Sequence, residues 1–170
     1  IEITLTDGSG IANAGTDTVI INTTVSVAAV NSAPEGANAV LAPSIEDIPT
    51  PIAATVSTLF EAGRTDSDAG AYLGGVAVVA NAADSVTEGV WQYSTDGSIT
   101  WNMVGVVNDA DQALALSAAT ELRFVPVPNY NGNPTGLMVR ILDDTFSSGY
   151  SDMTTPSLVS VASNGGSTAI

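Results

Sequence analysis

An all-β protein folded as an antiparallel β-sandwich is what the 170-residue sequence predicts. Three observations lead there. Short runs of Val, Ile, Thr and Leu recur at roughly the 8–12-residue spacing of sandwich strands, separated by clusters of Gly, Pro, Asn, Asp and Ser. Hydrophobic residues make up 45% of the chain but aromatics only 5%, so the core must be built from Ala, Val, Ile and Leu, which suit a pleated surface. No long stretch carries the apolar period of an amphipathic helix.

The elements follow in order. Ile1, Ile3 and Leu5 alternate with Glu2, Thr4 and Thr6, Asp7-Gly8-Ser9-Gly10 breaks that strand, and Thr18 to Val30 supplies a second. Asn31-Ser32-Ala33-Pro34 reads as a junction. Val40 to Ile45 predicts the first strand of a new module, and Pro43, Pro49 and Pro51 place the following stretch at an edge or in a loop. Thr55 to Ala62 can form a short helical turn, and Asp66-Ser67-Asp68-Ala69-Gly70 a tight one. Strands are predicted for Gly75 to Asn81 and Gly89 to Ser94, then, after Thr95-Asp96-Gly97-Ser98, for the stretch through Trp101 to Val106. Asp109-Ala110-Asp111 is a connection, Ala113 to Leu116 alternates weakly, and Glu121 to Val125 is halted by Pro126 and Pro128. Leu137 to Leu142 is the next strand, ending at Asp143-Asp144 and a Ser/Gly-rich stretch to Gly149.

This length exceeds one minimal sandwich and falls short of two full domains. Residues 1–30 read as a terminal strand pair, either the tail of a preceding module or strands that complete this one. Residues 31–34 are the junction, and 35–170 a module that stops before an obvious closing strand. Ile1 to Gly10 repeats the plan of Leu137 to Thr145, a late strand running into an acidic turn. Because an open sheet edge needs a partner, Thr18 to Val30 is expected to pair with this module's sheet or that of a neighbouring copy. The strand pattern at Ile1 reads as a piece of something longer.

Charge narrows the function. Eighteen Asp and Glu face three basic residues, Arg64, Arg123 and Arg140, for a formal net charge of −15. Phosphate binding needs clustered Lys and Arg, so nucleic acid is disfavoured as a partner, and an anionic membrane surface for the same reason. No apolar run approaches the ~18 residues of a membrane span, so no membrane insertion is expected. Acidity can serve solvation alone; its clustering in turns favours a divalent cation. Cysteine and histidine are absent, which removes disulfides, thiolate sites and Ser-His or Cys-His triads.

Several segments carry a likeness. Asn31-Ser32-Ala33-Pro34, Ile45-Glu46-Asp47-Ile48-Pro49 and Asp66-Ser67-Asp68-Ala69-Gly70 come in order along the chain. They are followed by Trp91-Gln92-Tyr93-Ser94-Thr95-Asp96-Gly97-Ser98-Ile99-Thr100-Trp101, Leu122-Arg123-Phe124-Val125-Pro126 and Tyr130-Asn131-Gly132. With these the chain resembles the cadherin-like and immunoglobulin-like modules of giant repeats-in-toxin adhesins, which Gram-negative bacteria secrete by a type I route. Ser32 stands where that family's junction has Asp. The resemblance implies an Ig-like or cadherin-like sandwich at the bacterial cell surface, outside the cell. It implies a role in cell adhesion and biofilm formation, with adjacent modules of the same chain as partners and Ca2+ as cofactor. Family topology would bring Glu46, Asp66, Asp68, Asp143 and Asp144 from three turns to one pole, with Asp47 as a ligand in place of Glu46 or as a cap of its turn.

Calcium takes about six to eight oxygens, which loops at one end of a sandwich can gather. Taken singly, each of these carboxylates reads as a solvated turn residue. Ser94 to Trp101 is close to the Asp-box hairpin of sialidase-like propellers and reads as a structural turn, with Asp96 capping it. Asp109 with Asp111, or Asp143 with Asp144, offers the paired acids of glycoside hydrolysis but nothing else such a site needs. The expectation is therefore a non-enzymatic, calcium-stabilised structural or scaffold module. The alternative is a binding module whose loops near Tyr72, Tyr130 or Tyr150 contact a glycan or peptide ligand.

Overall fold

β-Branched and aliphatic runs form the strands, and Gly, Pro and Asx residues end them. The structure, a computed structural model, describes residues 2–6 and 18–170 and divides into two units, residues 1–30 and 31–170. In the first unit β1 (Glu2–Thr6) pairs antiparallel with β2 (Thr18–Asn22), from Glu2 opposite Asn22 to Thr6 opposite Thr18. The second strand is shorter than the sequence predicts: residues 23–30 carry no regular structure, and Val25 and Val27 are exposed. The ladder partner of β2 is β1. The turn expected at Asp7-Gly8-Ser9-Gly10 lies outside the described residues.

The second unit begins with β3 (Glu35–Gly36) and β4 (Ala53–Thr55). Helix α1 (Val56–Phe60) follows, capped by Thr55, whose hydroxyl accepts the Thr58 N–H at 3.0 Å. A 3-10 turn (Glu61–Gly63) leads into β5 (Arg64–Thr65) and the long β6 (Leu73–Asn81). Then come β7 (Gly89–Ser94), β8 (Asn102–Met103), β9 (Ala113–Ser117), β10 (Glu121–Pro126), β11 (Leu137–Asp143) and β12 (Leu158–Val159). One four-stranded sheet has the order β4-β10-β7-β8 and the other β11-β6-β9-β12, while β3 pairs with β5. Every pairing is antiparallel. The all-β class predicted by the sequence holds.

Both four-stranded sheets feed one apolar cluster: Val76, Val78, Leu114, Leu116 and Ile141 from one, Tyr93 and Leu122 from the other, with Val56 of α1. The opposite face of the β6-containing sheet is buried as well. Ala77, Val79, Ala113, Ala115 and Leu142 form a second cluster with Val159 and Val161, bordered by Phe146, Tyr150 and Ile170. The chain beyond β11 therefore lies over that face. This explains why Gly75 to Asn81 is an unbroken apolar run and why Ala113 to Leu116 alternates so weakly: a strand covered on both faces has no solvent side to mark.

The covering chain sits close. Tyr150 rests on Gly74 and Gly75, where a Cβ at Gly74 would come within 2.6 Å of its hydroxyl. Gly74 also marks an irregularity, since Leu142 pairs with Gly75 and Asp143 with Leu73.

Two predicted strands of this unit come out differently, and β12 is a strand that is not predicted. Val40 to Ile45 forms no strand, and Val40 is 88% exposed; Pro43 lacks an N–H and the stretch has no ladder partner. The run through Trp101 to Val106 shrinks to Asn102–Met103, because Gly105 turns the chain at φ 68°. Beyond Gly149 the short β12 pairs with β9, a strand too brief to show as a sequence pattern.

Gly75→Ala is expected to destabilise the fold, since the added Cβ would collide with the Leu116 carbonyl oxygen, which is backbone and cannot swing away. Overpacking of this kind costs about 1–3 kcal/mol, more than the ~0.4–1 kcal/mol that Gly→Ala returns through the unfolded chain. Thermal melting should show a drop of about 2–4 °C per kcal/mol, and an unchanged midpoint would refute the close contact.

Candidate functional site

The register of the ladders sets which turns share an end of the second unit. Asp143 pairs with Leu73, Ser117 with Gly75, and Glu121 with both Ser94 and Thr55, so these residues mark one pole. Asn81 with Leu137 and Gly89 with Pro126 mark the other.

At the first pole the acidic residues are built into the backbone. Asp66 Oδ1 accepts the Asp68 N–H at 2.9 Å, an Asx turn, and Gly70 continues it at φ 87°. Asp68 Oδ2 accepts the Ser32 N–H at 2.6 Å, tying the junction to this turn. Asn31 Nδ2 donates to Asp143 Oδ2 at 2.9 Å and to the Thr168 carbonyl at 3.0 Å. Asp143 is fully buried, and its Oδ1 accepts the Thr145 N–H at 2.8 Å and hydroxyl at 2.6 Å. Asp144, exposed, accepts the Tyr72 N–H at 3.3 Å. The C-terminal stretch closes over them: Gly166 O accepts the Ala33 N–H at 2.9 Å and Ala169 O the Asp143 N–H at 3.1 Å.

Two residues that the sequence reading does not single out complete the cluster. Glu61 accepts the Leu73 N–H at 3.2 Å through Oε2 and Arg64 Nη2 at 3.3 Å through Oε1. Arg64 also donates to the Ala71 carbonyl at 2.7 Å. Its Nη1 stands 3.5 Å from Asp66 Oδ2, beyond hydrogen-bond length, with the Arg64 side chain 10% and the Asp66 side chain 3% exposed. Arg64 Nε, Arg64 Nη1 and Asp66 Oδ2 are buried without a hydrogen-bond partner. Such a pair bears the desolvation of both charges without the hydrogen bonds that would offset it. One signal could have pointed here: Arg64 is one of only three basic residues and lies two positions before Asp66.

Glu46 and Asp47 lie elsewhere. Asp47 Oδ1 accepts the Asn129 N–H at 2.9 Å, beyond the end of β10 and so at the second pole, and Glu46 beside it is exposed. The three acidic turns are therefore not gathered at one pole as the sequence reading expects. Four of the six predicted residues, Asp66, Asp68, Asp143 and Asp144, lie at the first pole, and two do not. The prolines at 43, 49 and 51 keep this stretch out of the ladders, so its course is set by the loop after β10 rather than by strand register. Among the described residues no three acidic side chains stand close enough to hold a metal ion as a preformed group.

The other candidate motifs have structural partners. Asp96 accepts the Thr100 N–H at 3.0 Å and hydroxyl at 2.5 Å and the Ser94 hydroxyl at 2.8 Å, and the Thr100 bonds hold its pKa down at about 2. Gly97 and Ser98 both take positive φ, 74° and 67°, so Ser98 adopts a conformation that glycine usually fills. Trp101 lies under the Arg123 guanidinium at 3.9 Å, and Arg123 forks onto Gln92 Oε1 at 2.9 and 2.7 Å. Asp109 is clasped by Arg140 at 2.7 and 2.6 Å, which lowers its pKa away from that of a general acid. Of the three tyrosines, Tyr72 is 60% exposed, Tyr130 tilts against Phe124, and Tyr150 packs on Phe146. Burial first, then the charge of Asp143, raises the Tyr150 pKa.

A folded-state pKa below the unfolded value makes Asp96 stabilising above the unfolded value, with that stability lost as pH falls from near 4 through about 2. Asp96→Asn is expected to lower the melting temperature at neutral pH and to flatten its decline over that acid window. Parallel melting curves for the two proteins down to pH 2 would show that the turn does not depend on this carboxylate.

Comparison with protein-family models, with curated proteins and with solved structures finds no match for this chain.

Proposed function

We propose that the chain is a non-enzymatic, calcium-stabilised structural module of a large bacterial surface adhesin. In that role it works outside the cell as an extender or scaffold between adjacent modules of one polypeptide. The observation that carries the calcium reading is the Asp66 carboxylate: one oxygen holds its own turn, and the other is buried with no hydrogen-bond partner, 3.5 Å from Arg64 Nη1. A buried carboxylate oxygen without a hydrogen bond is costly, and a hard divalent cation is a ligand that would relieve it. Asp66 would anchor it, and Asp68, Asp143, Glu61 and the side-chain oxygen of Asn31, which form no preformed site, would have to draw in around it. Bound there, the ion would fasten the junction at residues 31–34 to the body of the module. The resemblance to adhesin modules supports this placement, and the absence of His and Cys from the sequence supports a non-catalytic role.

A second reading, a module that binds a glycan or peptide, is favoured by Tyr72, a largely exposed ring whose backbone N–H is held by Asp144. A glycan and peptide array would have to return saturable hits that Tyr72→Ala abolishes.

Melting in calcium against melting in chelator tests the first reading. A cation bound by the folded state alone adds about 2.7 kcal/mol at a hundredfold excess over its dissociation constant. Calcium should therefore raise the midpoint, Asp66→Asn should remove most of the shift, and Asp47→Asn should leave it intact. Arg64→Gln should enlarge it, because the guanidinium competes for the same carboxylate. Equal midpoints of the unaltered chain in calcium and chelator would end the calcium reading.

A further inference from the structure

An asparagine followed by glycine can react with itself, because glycine has no Cβ to hinder its nitrogen as it closes on the side-chain amide. The chain contains two such dipeptides, Asn131-Gly132 and Asn164-Gly165, and the structure holds them differently. In the second, both reacting groups are engaged: Asn164 Nδ2 donates to the Val161 carbonyl at 2.9 Å, and the Gly165 N–H to the Ile170 carbonyl at 2.7 Å. In the first, neither the Asn131 side chain nor the Gly132 N–H has a hydrogen-bond partner among the described residues, and both residues are exposed. The ends of that loop are nevertheless anchored. Tyr130 N–H donates to the Val127 carbonyl at 3.1 Å, and Thr135 donates to Glu88 Oε1 through its N–H at 3.2 Å and its hydroxyl at 3.0 Å.

We propose that Asn131 is a site of spontaneous covalent modification, converting to aspartate and isoaspartate. The Gly132 nitrogen gives up its proton to solvent base and bonds to Cγ of Asn131. The bond from Cγ to Nδ2 breaks, and the nitrogen leaves as ammonia after taking a proton from water. Water then adds to one or the other carbonyl of the cyclic imide and opens it, so the main chain runs either through the original backbone carbon or through Cγ. Water is the co-reactant, and no electrons are transferred. Each event adds one negative charge to a chain already at −15, and the isoaspartyl product lengthens the loop between β10 and β11 by one backbone carbon. Asn164 must first break two hydrogen bonds, which slows it by roughly tenfold or more relative to Asn131.

The full chain, incubated folded at mildly alkaline pH, is digested and each Asn-Gly peptide followed by mass spectrometry, with chromatographic separation of the isoaspartyl form. Modification is expected at Asn131, with Asn164 lagging by roughly tenfold while the chain is folded and drawing level in denaturant, where both sites are unrestrained. Asn131→Gln should remove the fast phase and leave the slow one. Equal rates at the two sites in the folded chain would overturn the proposal. So would an Asn131 that stays intact while folded and reacts once denatured.

Discussion

Burial of β6 and β9 on both faces is the constraint from which much of the second unit follows. A sheet with one wet face can end at its last strand, but Ala77, Val79, Ala113 and Ala115 point away from the central cluster and must be covered by something else. Residues 146–170 supply that cover with Phe146, Tyr150, Val159, Val161 and Ile170, even though they form only one short strand. Their small inward neighbours matter: alanines and the Gly74-Gly75 pair let an irregular segment lie close to the sheet, where larger side chains would hold it off.

The same cover shapes the acidic pole. Because the chain returns across the sheet, Gly166, Thr168 and Ala169 end beside the junction and Asp143, and their carbonyls take N–H groups from Ala33, Asn31 and Asp143 itself. Asp143 can then be wholly buried, since Thr145 and Asn31 satisfy both of its oxygens. Asp66 is the exception within this cluster. Its buried oxygen faces an arginine too distant to bond, so polar satisfaction fails at the pole that carries Asp66, Asp68 and Asp143, as it also does at Asn81 Oδ1 at the other pole.

Net charge alone misleads about how the carboxylates are used. Asp84, Asp96 and Asp152 each accept backbone N–H groups two to four residues ahead. The Thr100 and Thr154 hydroxyls lead in lowering the pKa values of Asp96 and Asp152, and the Val86 N–H that of Asp84. The three arginines do different work. Arg140 pairs with Asp109, Arg123 stacks on Trp101, and Arg64 is drawn into the acidic cluster. Acidity in this chain is in large part turn chemistry, in which a short carboxylate replaces a backbone carbonyl as acceptor.

Sequence by itself determined the all-β class, the long strands and most of the turns, because β-branched runs and Asx or Gly punctuation act over a few residues. Leu73–Asn81, Gly89–Ser94, Glu121–Pro126 and Leu137–Asp143 lie close to where the pattern puts them, and Thr55 caps its helix as a local signal should. Tertiary structure alone decided which turns meet. Asp66, Asp68 and Asp143 are joined through Asn31 and Ser32, more than a hundred positions from Asp143, while Asp47 is held by Asn129 at the far end. Tertiary structure also decided that Val40 to Ile45 is no strand and that Leu158–Val159 is one, since a ladder needs a partner edge and a sequence does not show which edges remain open. The physical reason is range: turn and strand preferences arise from neighbouring residues, whereas convergence at a pole depends on register between strands far apart in the chain.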